Sequence, residues 1–474
     1  ERSIQTWAFQ KHPVTFTRWP HLPQSEEGGI CLYPGRLRTL LPLPNTIKPV
    51  AAIGVFPRPN QAFWTLSAIW SGWLWGKDAV VPLKGSLERQ RYDWNWHTVA
   101  LHNSFSTLRK NTPDHFALIG LLPELVPGFL AAAVVAGEAA GFDLQGLAVR
   151  EEQEFAQLLW RAGENLPSLK LPVAEICQDA ITRNLSERNE PASYMNLFAG
   201  CLESLSAQGA LPKNQTQIPF DSLTRIHPSI NQVFTIPGFL KRYESNSPNL
   251  EIGQWWLSTP PENELTLADL VEIEIVHFLQ KHPDTPLAEV DEAMCKAFPG
   301  LMTPSIDLVK TCLDSYAEVT PSSFNRWHLR SNESVASRKA DLLSVRQLLA
   351  RIAERLGYEW QGEQPLTWND RTSGEVFRFY PITSSIISRF VLSDMLVTPH
   401  RCVLVVPGSR SNLLAYKLKR DPRLAEAVAK GWCFLKFRYL RQLAERADLS
   451  LALWEELLGA DPPILESPFQ MTMF

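Results

Sequence analysis

Between residues 49 and 162 short apolar runs alternate with helical spacing, and this alternation constrains the fold more than any other feature of the chain. "PVAAIGVF" is an apolar run of strand length. After the break at Pro57 and Pro59, "QAFWTLSAIWSGWLWG" puts Phe63, Leu66, Ile69, Trp70, Trp73 and Leu74 at helical spacing. "YDWNWHTVALHNSFSTLRKNTP" reads as a second helix, with Trp96, Val99, Ala100, Phe105 and Leu108 as its apolar face and Pro113 just beyond it. "HFALIGLLP" has the continuous apolar character of a strand buried on both faces. "VPGFLAAAVVAGEAAG" is an alanine-rich helix closing on Gly141, and "FDLQGLAVR" and "EFAQLLWR" are two final strands. The order β-α-α-β-α-β-β predicts an α/β fold: a parallel sheet between helices, with room for an antiparallel hairpin at its edge.

A chain of 474 residues with 45% hydrophobic side chains has ample material for several cores. The pattern divides it into an α/β domain (1–165), a helical pair with a connecting segment (166–262), a winged-helix-like region (263–335) and a basic C-terminal α/β domain (336–474). Seven cysteines form no CxxC pair and no Cys/His cluster at zinc spacing, which predicts no metal site and a reduced, cytoplasmic setting. No apolar run reaches membrane-spanning length, so neither a span nor a signal peptide is expected. The chain begins at Glu1 and its first 50 residues show no clear domain start, so it reads as the C-terminal part of something longer.

The element order of the first third resembles the second half of the class I S-adenosylmethionine-dependent methyltransferase fold, and in particular the prokaryotic amino-DNA-methyltransferases. In that family the loop after the fourth strand carries Asp/Asn-Pro-Pro-aromatic. Val55, Phe56, Pro57 and Arg58 stand there in this chain. The chemistry implied by the resemblance needs a polar acceptor for the exocyclic amine and an aromatic ring to stack on the flipped-out base. Valine has no acceptor and only Pro57 keeps the family identity, so the expectation is a decayed catalytic loop. No strand-GxG-helix stretch supplies the cofactor turn. "EEGGICLYPG" at 26–35 reads as a loop, and "VVPGSRSNLL" at 405–414 follows a strand but has one glycine. "ADPPIL" at 460–465 follows a helix and reads as a turn. No cofactor is therefore expected, S-adenosylmethionine entering only if a cofactor-binding half is supplied elsewhere.

In the middle of the chain, residues 171–211 contain two helical stretches around "RNEPASY", read as a helical pair packed on the sheet, and "PKNQTQIPFDS" reads as a boundary. Three helices at 265–281, 285–298 and 303–320, followed by the strand "SSFNRWHLR", look like a winged helix. Its third helix offers Ser305, Asp307, Lys310 and Asp314, which is no basic reading face, so the region reads equally as a packing or partner module, with Arg326 and Arg330 left to meet phosphates.

"LLSVRQLLARIAERLGYEW" is an amphipathic helix ending at Gly357, and the strands and helices after it vaguely resemble a restriction-endonuclease-like core. "VLVVPGSR" carries none of the carboxylates such a metal site requires. Residues 401–446 hold eleven Lys and Arg against three acids, a balance of +8, so the rest of a chain of net charge -4 carries -12. Interleaved aromatics and segregated positive charge point to phosphate binding, with Arg410, Lys417, Lys419, Arg420, Arg423, Lys436, Arg438 and Arg441 as the contacts. The functional expectation is a DNA-binding, methyltransferase-like subunit with a decayed catalytic loop, acting with other protein subunits in a larger prokaryotic DNA-processing or anti-phage defence complex. Two alternatives stand beside it: an active DNA amino-methyltransferase whose cofactor motif lies outside this chain, and a non-enzymatic assembly scaffold for an acidic protein partner.

Overall fold

The computed structural model describes residues 15–23, 29–35, 37–57, 61–84, 93–163, 172–218, 222–260, 265–320, 326–392 and 401–459. The fold is mixed α/β. Its first sheet contains β3 (Ala51–Val55), β4 (Ala117–Leu122), β5 (Phe142–Arg150) and β6 (Phe155–Ala162), in the spatial order β3-β4-β6-β5. Only β3 and β4 are parallel; β6 lies antiparallel between β4 and β5. The connection from β5 to β6 is too short for a crossover, so these two strands must form a hairpin. The expected parallel character holds for one pair, and the last two strands form an antiparallel hairpin at the sheet's edge.

Between these strands run α1 (Gln61–Trp75), α2 (Trp94–Arg109) and α3 (Pro127–Ala139), as the sequence spacing predicts. Every residue of α3 is buried. Its Ala132, Ala133 and Ala136 leave the short radius that lets the sheet on one side and neighbouring helices on the other approach it closely. Helix α1 does the opposite of what its periodicity predicts. Its small residues Ser67, Ala68, Ser71 and Gly72 are the less exposed ones, while Leu66, Ile69, Trp70, Trp73 and Leu74 face solvent.

Two units of the same order follow. In the first, α4 (Val173–Arg188), β7 (Ala192–Ser193), α5 (Tyr194–Ala207), α6 (Ser222–Val233), β8 (Leu240–Tyr243) and β9 (Gln254–Leu257) build a sheet ordered β7-β9-β8. In the second, α7 (Leu267–Lys281), β10 (Thr285–Pro286), α8 (Leu287–Ala297), α9 (Ile306–Tyr316), β11 (Ala317–Val319) and β12 (Arg326–Leu329) build one ordered β10-β12-β11. The chain thus repeats a helix-strand-helix-helix-hairpin unit, the arrangement expected of a winged helix for the second alone. Each repeat turns from its first helix into its first strand through a left-handed residue, Asn189 (φ 48) and Asp284 (φ 64). In the segment read as a boundary, Gln215 N–H donates to Ala139 O of α3 at 2.8 Å and Lys213 Nζ lies 2.7 Å from Asp143 of β5, which holds its described residues on the first domain. The first repeat shares one continuous core with the sheet, from Phe129 and Trp160 to Leu197 and Trp256.

The C-terminal unit opens with α10 (Val335–Leu356), capped by the Ser334 hydroxyl and ended by Gly357 at φ 84. Its sheet runs β13 (Glu359–Gln361), β14 (Leu366–Asp370), β15 (Gly374–Pro381), β16 (Arg401–Val406), β17 (Trp432–Lys436), antiparallel at first and parallel from β15 onward. Helices α11 (Ser411–Arg420) and α12 (Pro422–Ala429) connect β16 to β17, and α13 (Phe437–Glu445) and α14 (Leu451–Gly459) follow. The basic segment is therefore not one helical block: Pro422 starts a new helix, Gly431 at φ 136 ends it, and "WCFLK" enters the sheet. "GICL" at 29–32 likewise pairs as a strand, β2, with β1 (Thr15–Arg18), where a loop was expected.

Candidate functional site

The carboxyl end of β3 is the first place where the sequence predicts chemistry. Val55 is exposed, and Phe56 turns inward, its ring 5.2 Å from Phe105 and 6.0 Å from Trp160. Gly120 makes the space: a Cβ there would lie 2.6 Å from the Phe56 ring and 2.8 Å from Trp160. Among the described residues of this loop, Val55, Phe56 and Pro57 offer no side-chain acceptor and no exposed aromatic ring. Arg58 lies outside the described residues, as does "ADPPIL". Among the described residues no glycine-rich turn links a strand to a helix in the way a methyl-donor site needs. The turn after β16 is filled instead by the buried side chain of Arg410.

Beyond the carboxyl end of β4 a cleft of about 500 Å³ opens between Trp94 and Asn95 of α2, Gly128 of α3, and Thr224, His227 and Asn231 of α6. The Tyr194 hydroxyl donates to Asn231 Oδ1 at 2.5 Å and stands 3.2 Å from His227 Nε2. Burial lowers the His227 pKa and raises that of the Tyr194 phenol. His227 and Asn231 form a polar wall in a mainly apolar cleft, with the buried Tyr194 hydroxyl behind them.

The second predicted site is the basic segment, and here the structure corrects four assignments. Lys417 is 1% exposed; its ammonium donates to Asp269 at 2.5 Å, to Glu272, and to Ser385 O at 3.1 Å. Burial works against the Lys417 charge, but the two carboxylates outweigh it and hold its pKa above the ordinary lysine value. Arg410 is equally buried, paired with Glu333 at 2.5 Å, donating to Thr383 O at 3.0 Å and to Ser315 O, its guanidinium 3.5 Å above the Tyr316 ring. Arg420 clamps Glu190 at 2.9 and 3.0 Å. Arg423 pairs with Asp421 at 2.7 Å, donates to Asn189 O at 2.7 Å and covers Trp256. These four cations join the C-terminal unit to the two repeats; Arg410, Lys417 and Arg423 are buried, while Arg420, 20% exposed, keeps one side on a cleft.

The other six sit nearer the surface. Lys419 is exposed without a carboxylate partner among the described residues, and Lys436 is half-buried. Arg438 is exposed beside the Tyr439 hydroxyl, and Arg441 is half-exposed in a pair with Asp341 at 2.6 Å. Arg326 is exposed while donating to Asp284 O at 2.7 Å, and Arg330 donates to Ser315 O at 3.0 Å and Asp314 O at 2.6 Å. The structure does not bring the six together into one site.

What it does assemble is a cleft of about 450 Å³ where the sheet, both repeats and α11 meet. The N-termini of α5 and α9, capped by the Ser193 and Ser305 hydroxyls, open on it beside Lys419, Arg420 and Arg188. Glu151, Glu152 and Asp307 offset those cations. Beneath lies Glu190, 1% exposed; burial raises its pKa, but Arg420 and Arg188 outweigh this and leave it below the ordinary carboxylate value. Arg188 Nε and Asn196 Oδ1 are buried there with no partner among the described residues.

Comparison with protein-family models, with curated proteins and with solved structures found no match. Among the described residues no group of His, Cys, Asp or Glu has the arrangement to hold a metal ion, and no helix is long and apolar enough to cross a membrane.

Sequence reasoning missed the acidic half of the junction: Glu190, Asp269, Glu272 and Glu333. A signal existed in α7, where Asp269 and Glu272 interrupt the apolar stripe of Leu267, Ala268, Val271, Ile275 and Leu279. An acid on the buried stripe of a helix calls for a buried cation elsewhere.

Proposed function

We propose that this chain is a non-catalytic, methyltransferase-like subunit that binds DNA and other proteins within a larger prokaryotic DNA-processing or defence complex in the cytoplasm. The observation that carries the reading is the first sheet: a parallel pair β3-β4, then β6 antiparallel between β4 and β5, with the loop after β3 reduced to Val55, an inward Phe56 and Pro57. That strand arrangement supports the resemblance to the second half of the methyltransferase fold, and the loop residues support loss of the transfer step. DNA contact would fall to the surface cations Lys419, Lys436, Arg438, Arg441 and Arg326 and to the two winged-helix-like repeats.

Two assays test it. The purified chain, given labelled S-adenosylmethionine and DNA, transfers no methyl group; enzyme-dependent labelling of the DNA would overturn the non-catalytic part. Charge-neutral variants of Lys419, Arg438 and Arg441 weaken binding to unrelated duplexes about equally and make its salt dependence shallower, by roughly 0.9 logarithmic units per lost phosphate contact. An unchanged salt slope in folded variants would remove the DNA contact. A second reading, an assembly scaffold contacting proteins alone, is favoured by the burial of Arg410, Lys417, Arg420 and Arg423 in internal ion pairs, and that outcome would select it.

A further inference from the structure

Strand β3 ends the first sheet, pairing with β4 and with no other strand among the described residues. Ala117 N–H donates to Val50 O and Phe56 N–H to Leu121 O, so the even-numbered residues of the strand face β4. Along a strand the backbone groups of alternate residues point to opposite edges, so the N–H and C=O groups of Ala51, Ile53 and Val55 point away from the sheet. Their side chains are also uncovered, Ile53 being 71% exposed. An edge of this kind is normally blunted by charge, proline or a covering element.

Helix α1 adds to the same problem. A helix ordinarily turns its apolar stripe inward, yet Trp70, Trp73 and Trp75 are 56%, 76% and 72% exposed, with Leu66, Ile69 and Leu74 beside them. Exposed large side chains of β3 and α1 together present on the order of 1,000 Å² of apolar surface. In sum this meets the roughly 800 Å² per partner of a stable interface. Neither β3 nor α1 contains a charged residue, so each can meet a copy of itself without like-charge repulsion.

We propose that β3 and α1 form the two-fold interface of a homodimer. In it the two β3 edges pair antiparallel about Ile53, continuing one four-stranded sheet into the next. Centred there, Ile53 exchanges both backbone hydrogen bonds with its symmetry mate and Ala51 stands opposite Val55 of the second copy, while the outward stripes of the two α1 helices supply the apolar cover. A β edge is self-complementary in this orientation, which is why the occupant is a second copy.

Sedimentation velocity on the full chain tests this. The expected result is a concentration-dependent species of twice the 53.6 kDa chain mass. Ile53→Pro removes only an outward N–H, a substitution that an edge strand tolerates, and weakens the dimer about tenfold or more. Trp73→Glu, on the separate helix, places like charges in the interface and has the same effect. Circular dichroism identifies folded variants, and if one of the two unfolds the other decides. A wild-type chain that stays at single-chain mass up to about 100 µM, or a dimer whose dissociation constant no folded variant moves, would overturn the proposal.

Discussion

Replacing Lys417 with methionine removes one charge from a site that holds three. Lys417, Asp269 and Glu272 are each 1% exposed, and the ammonium is the cation that both carboxylates contact. Breaking a buried pair by deleting one partner costs about 3–5 kcal/mol, since the remaining charge stays desolvated. That is a large part of the roughly 5–15 kcal/mol that holds a domain folded. The loss also carries a pH signature. In the wild type, burial raises the Glu272 pKa, but Lys417, Ser385 and Tyr316 outweigh it and hold the carboxyl below its ordinary value of 4.5. Its contribution is therefore complete above the ordinary carboxylate range and fades as pH falls through the lowered value. In Lys417→Met burial acts on Glu272 unopposed by the cation, its carboxyl is driven upward, and protonation relieves the variant on acidification. Urea melts followed by tryptophan fluorescence at about pH 7.5 and about pH 5 measure both effects. The gap between variant and wild type is expected to narrow at the lower pH. Adding Asp269→Asn and Glu272→Gln to Lys417→Met should recover most of the loss, because replacing a whole buried ion cluster is often near neutral. A gap below about 1 kcal/mol at neutral pH, or one that widens on acidification, would refute the reasoning.

Gly120→Ala drives a methyl group into Phe56 and Trp160, whose rings have no free side to move to, and should cost about 1–3 kcal/mol in a thermal melt. Phe434→Ala and Phe437→Ala empty buried positions in the C-terminal unit and should each lower stability by about 3–5 kcal/mol, with DNA binding affected only through unfolding. Glu190→Gln leaves the Arg188 and Arg420 guanidinium groups facing each other without their shared carboxylate, and should destabilise the chain by about 3–5 kcal/mol in denaturant melts.

Local patterning determined much of this protein. The alternation at 49–162 specified seven elements in their right order, because apolar period and turn residues act within a few positions of each other. Gly141 after α3, Gly357 after α10 and the three helices of the second repeat were legible for the same reason. The first repeat was hidden by strands as short as Ala192–Ser193, which have no period to read.

The fate of charge and of exposed surface was decided only in three dimensions. The +8 of residues 401–446 and the -12 of the remainder look like a phosphate-binding tract when read along the chain. Folding brings Asp269, Glu272, Glu333 and Glu190 onto Lys417, Arg410 and Arg420, so the segregation becomes a seam between units. Periodicity likewise marked the apolar stripe of α1 but could not say which way it would face. Coulomb attraction and burial act through space between residues from 77 to 230 positions apart, and no local spacing encodes which partners the tertiary fold will bring within reach.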